Sequence, residues 1–254
     1  MQDDFSVKFS EVNPVIDFVL EQVRSIFGPS LLGVYLFGSL TYDDFKEERS
    51  DIDLQVVIEN DAKKEETKQI EQLFHNISKK FPKWAGRVEC SFTPISYYSQ
   101  KNPPEKGRPY FGEKFYADAI YGNEWLINNY LLRKHGIRLY GAEFSELIDK
   151  IGIKDLQKAA LKDLKEEWEP KLKDSEYFEN PHNQSYIVLN LCRILYTVQE
   201  GKVGSKSQAT SWVKSKYPQW RGLIETADEW SYGDEMVMSL EAKEFLGFII
   251  RKVR

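Results

Sequence analysis

The sequence predicts an α+β protein, a mixed β-sheet with flanking helices in the first half followed by an all-α helical bundle. Three observations carry that expectation. Apolar residues switch between helical and strand-like spacing up to residue 122, and the pattern is almost wholly helical from Asn123 onward. Turn-forming residues over 141–152 separate the two patterns. The expected domains are residues 1–145 and 146–254, and a 254-residue chain can bury a core in each.

The elements follow in order. Residues 12–27 place Val12, Val15, Ile16, Val19, Val23 and Phe27 at helical spacing, and Gly28-Pro29 stops the helix. Residues 32–37 and 52–58 read as buried strands. Residues 63–81 form an amphipathic helix. Over 87–93 a third strand alternates Val88, Cys90 and Phe92 with Glu89 and Ser91. Between 96 and 122 the pattern is lost, and Pro103-Pro104, Gly107, Pro109 and Gly112 mark a long loop, a kind that often carries function. Helices are expected at 124–134, 154–172, 184–200, 208–216, 219–230 and 234–252.

Composition narrows the classes. Apolar residues at 41% and charged residues at 30% are ordinary for a soluble globular protein. A net charge of −5 argues against a dedicated nucleic-acid binder, which needs clustered Lys and Arg. No apolar run approaches the length of a membrane span, and MQDDFSVKF lacks the basic and apolar regions of a signal peptide. Cys90 and Cys192 lie far apart without metal spacing, which suits a reducing cytoplasm. A monomer is the expected state.

The chemistry sits in Gly38-Ser39, eleven residues, then Asp51-Ile52-Asp53. Strand alternation points Asp51 and Asp53 to one face. Two carboxylates at that spacing repel unless a cation joins them, and Mg²⁺, a hard ion that takes carboxylate and phosphate oxygens, suits them. Gly38 lets backbone approach a phosphate, and exposed N–H groups with the Ser39 hydroxyl bind the anion. The competing reading makes both aspartates solvent-facing residues of an edge strand. Glu89 offers a third carboxylate if its strand lies alongside.

The segment GSLTYDDFKEERSDIDLQVVI resembles the nucleotidyltransferase signature, and NQSYIVLNLCRILYTVQEGKVGSKSQATSWV resembles the C-terminal domain of aminoglycoside adenylyltransferases of the 3''/9 type. The likeness spans roughly residues 32–230. It implies a nucleotidyltransferase-type mixed sheet, a helical domain, and a site in the cleft between them. The implied activity transfers AMP from ATP to a hydroxyl of an aminoglycoside or aminocyclitol such as spectinomycin or streptomycin. By the same resemblance Asp51, Asp53 and Glu89 hold two Mg²⁺ ions, and Glu89 is the base. Ser39 and Ser50 touch the ATP phosphates, and Arg193 and Lys206 reach them from the helical domain. Ser205-Lys206-Ser207-Gln208 independently reads as a capping box, putting Lys206 at a helix N-terminus. The competing reading of Arg193 is a structural ion pair.

Acceptor recognition departs from that pattern. Lys114 stands where the family tends to carry a tryptophan, and Asn183 replaces one carboxylate of an acidic pair that Glu179 keeps. A cation at 114 opposes a cationic acceptor. The alternatives are therefore the same chemistry on a protein side chain, nucleotide or metabolite, and a nucleotide-binding regulator without turnover. Pro109, Tyr110 and Phe111 are candidates to stack on adenine or acceptor. His75, His135 and His182 lack metal spacing, with only His182 a candidate for the cleft.

Overall fold

The computed structural model describes residues 10–41 and 44–253. The leader reading falls on residues 1–9, which with Tyr42, Asp43 and Arg254 lie outside the described residues. The chain divides into two compact units: residues up to Phe45 with Ser50–Lys150, and Lys46–Arg49 with residues from Ile151 onward. By its internal contacts the first unit runs on to Lys150. The short helix Phe144–Leu147 belongs to the first unit because the Phe144 ring packs edge-on against Tyr35 and Tyr98, at 5.0 and 5.3 Å between centroids.

The first unit is a six-stranded sheet with helices. Its strands are β1 (Leu31–Phe37), β2 (Ile52–Ile58), β3 (Val88–Pro94), β4 (Arg108–Phe111), β5 (Phe115–Ala119) and β6 (Ile137–Gly141), in the order β5-β4-β3-β2-β1-β6. Only β2 and β3 run parallel; every other neighbouring pair is antiparallel. A parallel pair needs a long crossover, which α2 (Lys64–Lys80) supplies. Glu65 and Glu66 open that helix and Lys79 and Lys80 close it, both matching the helix dipole. With α1 (Asn13–Phe27), it covers one sheet face. Val15, Val19, Val23, Ile70 and Leu73 there pack with Val34, Leu36, Leu54, Val56, Cys90 and Phe92. Alternation turns Tyr35, Phe37, Asp53, Gln55, Glu89 and Ser91 to the other face, so a buried core on one side positions the polar residues on the other.

Three strands correct the sequence reading. The stretch taken as a long loop over 96–122 contains the β4–β5 hairpin, and β6 lies between the expected helix over 124–134 and the turn region. Strands of four and five residues with a proline carry too little local pattern to show. What holds β4 is tertiary: Phe111 is fully buried between Phe92 and Phe74, at 5.9 and 5.8 Å. The remaining helices of this unit are α3 (Trp125–His135) and α4 (Phe144–Leu147).

The second unit is helical: α5 (Ile153–Asp163), α6 (Pro181–Glu200), α7 (Lys206–Lys216), α8 (Arg221–Glu229) and α9 (Ser239–Val253). Helix α6 is central and touches each of the other four. It starts with the Asn180 side chain accepting from the Asn183 N–H at 3.3 Å and stops at Gly201, whose φ of +63° a glycine adopts without strain. Ile187, Leu191 and Leu195 are buried along it, each contributing about 1.5–3 kcal/mol. The helix expected over 154–172 ends at Asp163 and continues as a π-turn, Leu164–Trp168, and a 3₁₀ turn, Glu169–Lys173. Pro170 has no N–H to extend the ladder. The last helix begins at Ser239 rather than 234, because the Met238 N–H is drawn to the Gln184 side chain at 2.8 Å. Among the described residues no helix is long and apolar enough to cross a membrane.

Candidate active site

In the first unit, β1 ends at Phe37 and the chain turns at Gly38 with φ +70° into a 3₁₀ turn, Gly38–Thr41. The Thr41 hydroxyl closes that turn onto the Gly38 carbonyl at 2.8 Å, with Ser39 half-buried inside it. Asp53 pairs with Phe37 across one ladder and with Glu89 across the other. The latter pair is parallel, so the two carboxylates leave the same face about 4.8 Å apart at the backbone. A Cβ at Gly38 would come within 2.0 Å of the Asp53 Oδ2. Only glycine leaves that cradle open.

Asp51 lies one residue ahead of β2, half-buried, with its Oδ1 3.9 Å from the Arg87 Nε. Arg87 also donates to the Ser50 carbonyl and stacks over Trp84 at 4.8 Å, which holds the backbone entering the strand. Glu89 has a partner that the sequence did not reveal. The Tyr110 hydroxyl hydrogen-bonds to it, and burial, then the charge of Glu89, push the Tyr110 phenol far above its usual range. Tyr110 is thus a protonated donor at neutral pH. A Cβ at Gly112 would meet the Tyr110 hydroxyl at 2.9 Å and the Glu89 Cγ at 3.4 Å, so that glycine admits the hairpin to the carboxylate. Of the proposed stacking trio, Phe111 and Pro109 are buried in the hairpin, which removes both as platforms.

The expected cage of three carboxylates is not preformed. Among the described residues no three His, Cys, Asp or Glu side chains are grouped to hold a metal ion. The site still fits Mg²⁺. That ion takes one or two carboxylates and fills its shell with water and substrate phosphate, which matches hard oxygens on Asp53 and Glu89 beside an open glycine cradle.

In the second unit, Ser205 caps α7 with its hydroxyl on the Gln208 N–H while Gln208 reaches back to the Ser205 N–H, both at 3.2 Å. Lys206 is the first residue of that helix and is exposed. Arg193 is half-buried on α6. Its Nε is sealed from solvent, and among the described residues it has no hydrogen-bond partner and no carboxylate within ion-pair distance. The structural ion pair is therefore not formed. Glu179 is exposed at the end of a 3₁₀ turn, Glu176–Glu179, and Lys114 is exposed in the β4–β5 turn. Asn183 is committed locally: its amide donates to the Tyr177 carbonyl at 3.1 Å, which ties it to the turn before α6. His182 joins a ring cluster with Tyr186, Trp230 and Tyr232 at 5.5–5.7 Å. His75 packs on Phe74, and burial and Lys134 lower the pKa of His135. Both cysteines are buried and unbridged, and burial pushes their thiols up, which leaves neither as a nucleophile.

A sheet that presents Gly-Ser, Asp-x-Asp and a carboxylate on the next parallel strand has the arrangement that the resemblance to nucleotidyltransferases implies. The nucleotidyltransferase domain model matches residues 16–89, and the model of the aminoglycoside adenylyltransferase C-terminal domain matches residues 146–250. The chain is an enzyme of the nucleotidyltransferase type that resembles the aminoglycoside adenylyltransferases. The spectinomycin adenyltransferase AAD(9) from Enterococcus faecialis, solved with ATP and spectinomycin, matches at a TM-score of 0.76 and 21% identity, over 95% of this chain and 98% of that one. A toxin–antitoxin structure with AMP-PNP matches at a TM-score of 0.30 and 13% identity, over 62% of this chain and 95% of that one, too weak a likeness to build on. No curated protein matches the chain at a significant level.

Proposed function

We propose that the enzyme transfers AMP from ATP to a hydroxyl of a small aminoglycoside or aminocyclitol acceptor, spectinomycin or streptomycin being the model cases. The observation that carries this reading is the Asp53–Glu89 pair facing the glycine cradle at Gly38. Asp51, Asp53 and Glu89 would hold Mg²⁺, two ions in all, and bound metal neutralises charge building on the α-phosphate. Ser39 and the N–H groups of its turn would take a terminal phosphate, and Ser50 an adjacent one. Glu89 would remove the proton of the acceptor hydroxyl, with Tyr110 orienting its carboxylate. Arg193 and Lys206 are assigned to the ATP phosphates by the same resemblance, with Lys206 exposed at the start of α7. Glu179, Asn183 and Lys114 belong to acceptor discrimination in this reading, with Asn183 acting through its turn.

The test is Glu89→Gln in the full chain. It should bind ATP as the parent does and lose pyrophosphate release with spectinomycin or streptomycin. Near-normal turnover would refute the base. The second reading keeps the chemistry on a different acceptor and is favoured by the exposed Lys114, a cation set against cationic drugs. Pyrophosphate release with an uncharged hydroxyl acceptor but neither drug would select it.

A further inference from the structure

The first unit contains a cavity of about 570 Å³ that starts at Glu89 and Phe37 and runs over the polar sheet face to α3. Its wall holds two amides that the protein itself does not use. Asn129 is only 4% exposed, lines the cavity, and its side chain has no hydrogen-bond partner among the described residues; the half-buried Asn128 beside it has none either. Neither amide is sealed off from the cavity space. A buried amide left unmade is costly, and such groups are normally satisfied. The cation of the wall is partly committed. Arg108 gives its Nε to Ser91 at 3.0 Å and its Nη1 to the Ala119 and Ile120 carbonyls at 3.0 and 2.8 Å, and lies 4.0 Å over the Tyr121 ring. It makes no ion pair among the described residues, but the Glu124 carboxylate acts on its charge, and Glu89 and Asp118 line the same cavity. One cation beside three carboxylates leaves a wall that does not favour an anion. An amide offers one acceptor and two donors, which matches hydroxyl and ether groups.

Resting on the reading that Glu89 faces the acceptor, we propose that this cavity is the acceptor subsite for a hydroxyl-bearing ring, with Asn128 and Asn129 as its specificity-determining residues. The amino groups of an aminocyclitol then lie toward the exposed carboxylates of Asp118 and Glu124.

Calorimetric titration of the full chain with spectinomycin, with myo-inositol as an uncharged cyclitol, and with ATP tests this without requiring turnover. Both cyclitol probes should bind the parent. Asn129→Leu and Asn128→Ala should each weaken them about tenfold and leave ATP affinity within about twofold. Because the amide of Asn129 has no partner to lose, Asn129→Leu should melt no lower than the parent. The proposal is overturned if neither probe binds the parent, if both variants bind them normally, or if ATP binding is what weakens. A lower melting temperature with unchanged probe binding assigns Asn129 to structure and also overturns it. Probe binding without pyrophosphate release leaves the subsite standing and removes AMP transfer instead.

Discussion

Asp53 and Glu89 stand opposite each other in the one parallel ladder among the described strands, and Gly38 sits against Asp53 where no side chain has room. Gly38→Ala places a methyl in the space of the Asp53 carboxylate and forces an L side chain to φ +70°. The backbone strain alone costs about 1 kcal/mol. The expected outcome is a modest drop in melting temperature with a much larger loss of pyrophosphate release. A variant that keeps full turnover would show that Asp53 does not need this cradle.

Tyr110→Phe removes the hydroxyl donated to Glu89. A donor stabilises the ionised carboxylate, so its loss makes ionisation harder. The acidic limb of the pH profile of kcat/KM should move to higher pH by about one unit, with the KM for ATP little changed. An unmoved limb would detach Tyr110 from the base.

Alkaline stability follows from the buried phenols and thiols. Burial, then Glu143, pushes Tyr35 from 10.0 to about 12, and burial raises Tyr98, Cys90 and Cys192. A raised folded-state value means the folded chain holds its protons longer. Stability from these groups is complete below the ordinary thiol and phenol values, 9.0 and 10.0, and is lost as pH rises through them toward the folded values. Melting temperatures measured at pH 8 and pH 11 should therefore fall, and equal values would contradict the burial argument.

Arg49 donates to the Trp230 carbonyl at 2.8 Å and meets Asp228 at 3.2 Å, with Lys46 3.8 Å from the same carboxylate. These contacts explain why Lys46–Arg49, from the segment between Gly-Ser and Asp-x-Asp, clusters with the helical unit. The ion pair is partly exposed, so a double-mutant cycle of Arg49→Ala with Asp228→Ala should give a coupling of about 0.5–1 kcal/mol. A coupling of zero would mean that the backbone bond to Trp230 does the holding.

Much of this was legible in the residues. Helical spacing marks α1 and α2, unbroken apolar runs mark β1 and β2, and Ser205 with Gln208 announces the start of α7, which forms the capping box as read. The weak elements were not legible. β4 and β5 are short, with Pro109 inside β4 and Gly112 in the turn between them, and β6 follows a helix without a clear alternation; each is a strand because a neighbour completes its hydrogen bonds. Asn183 looked available to substrate because sequence distance hides the Tyr177 carbonyl that takes its amide.

The sequence by itself determined which residues carry charge on one strand face: Asp53 and Glu89 point where the alternation of their buried neighbours sends them. Tertiary structure alone decided what those carboxylates meet. The register sets Glu89 beside Asp53, the hairpin brings Tyr110 to Glu89, and α3 lays Asn129 along the same face. The physical reason is that periodicity records a side chain's direction, a local property of the backbone. Pairing partners come from hydrogen bonds and packing between distant segments, and no local spacing encodes those.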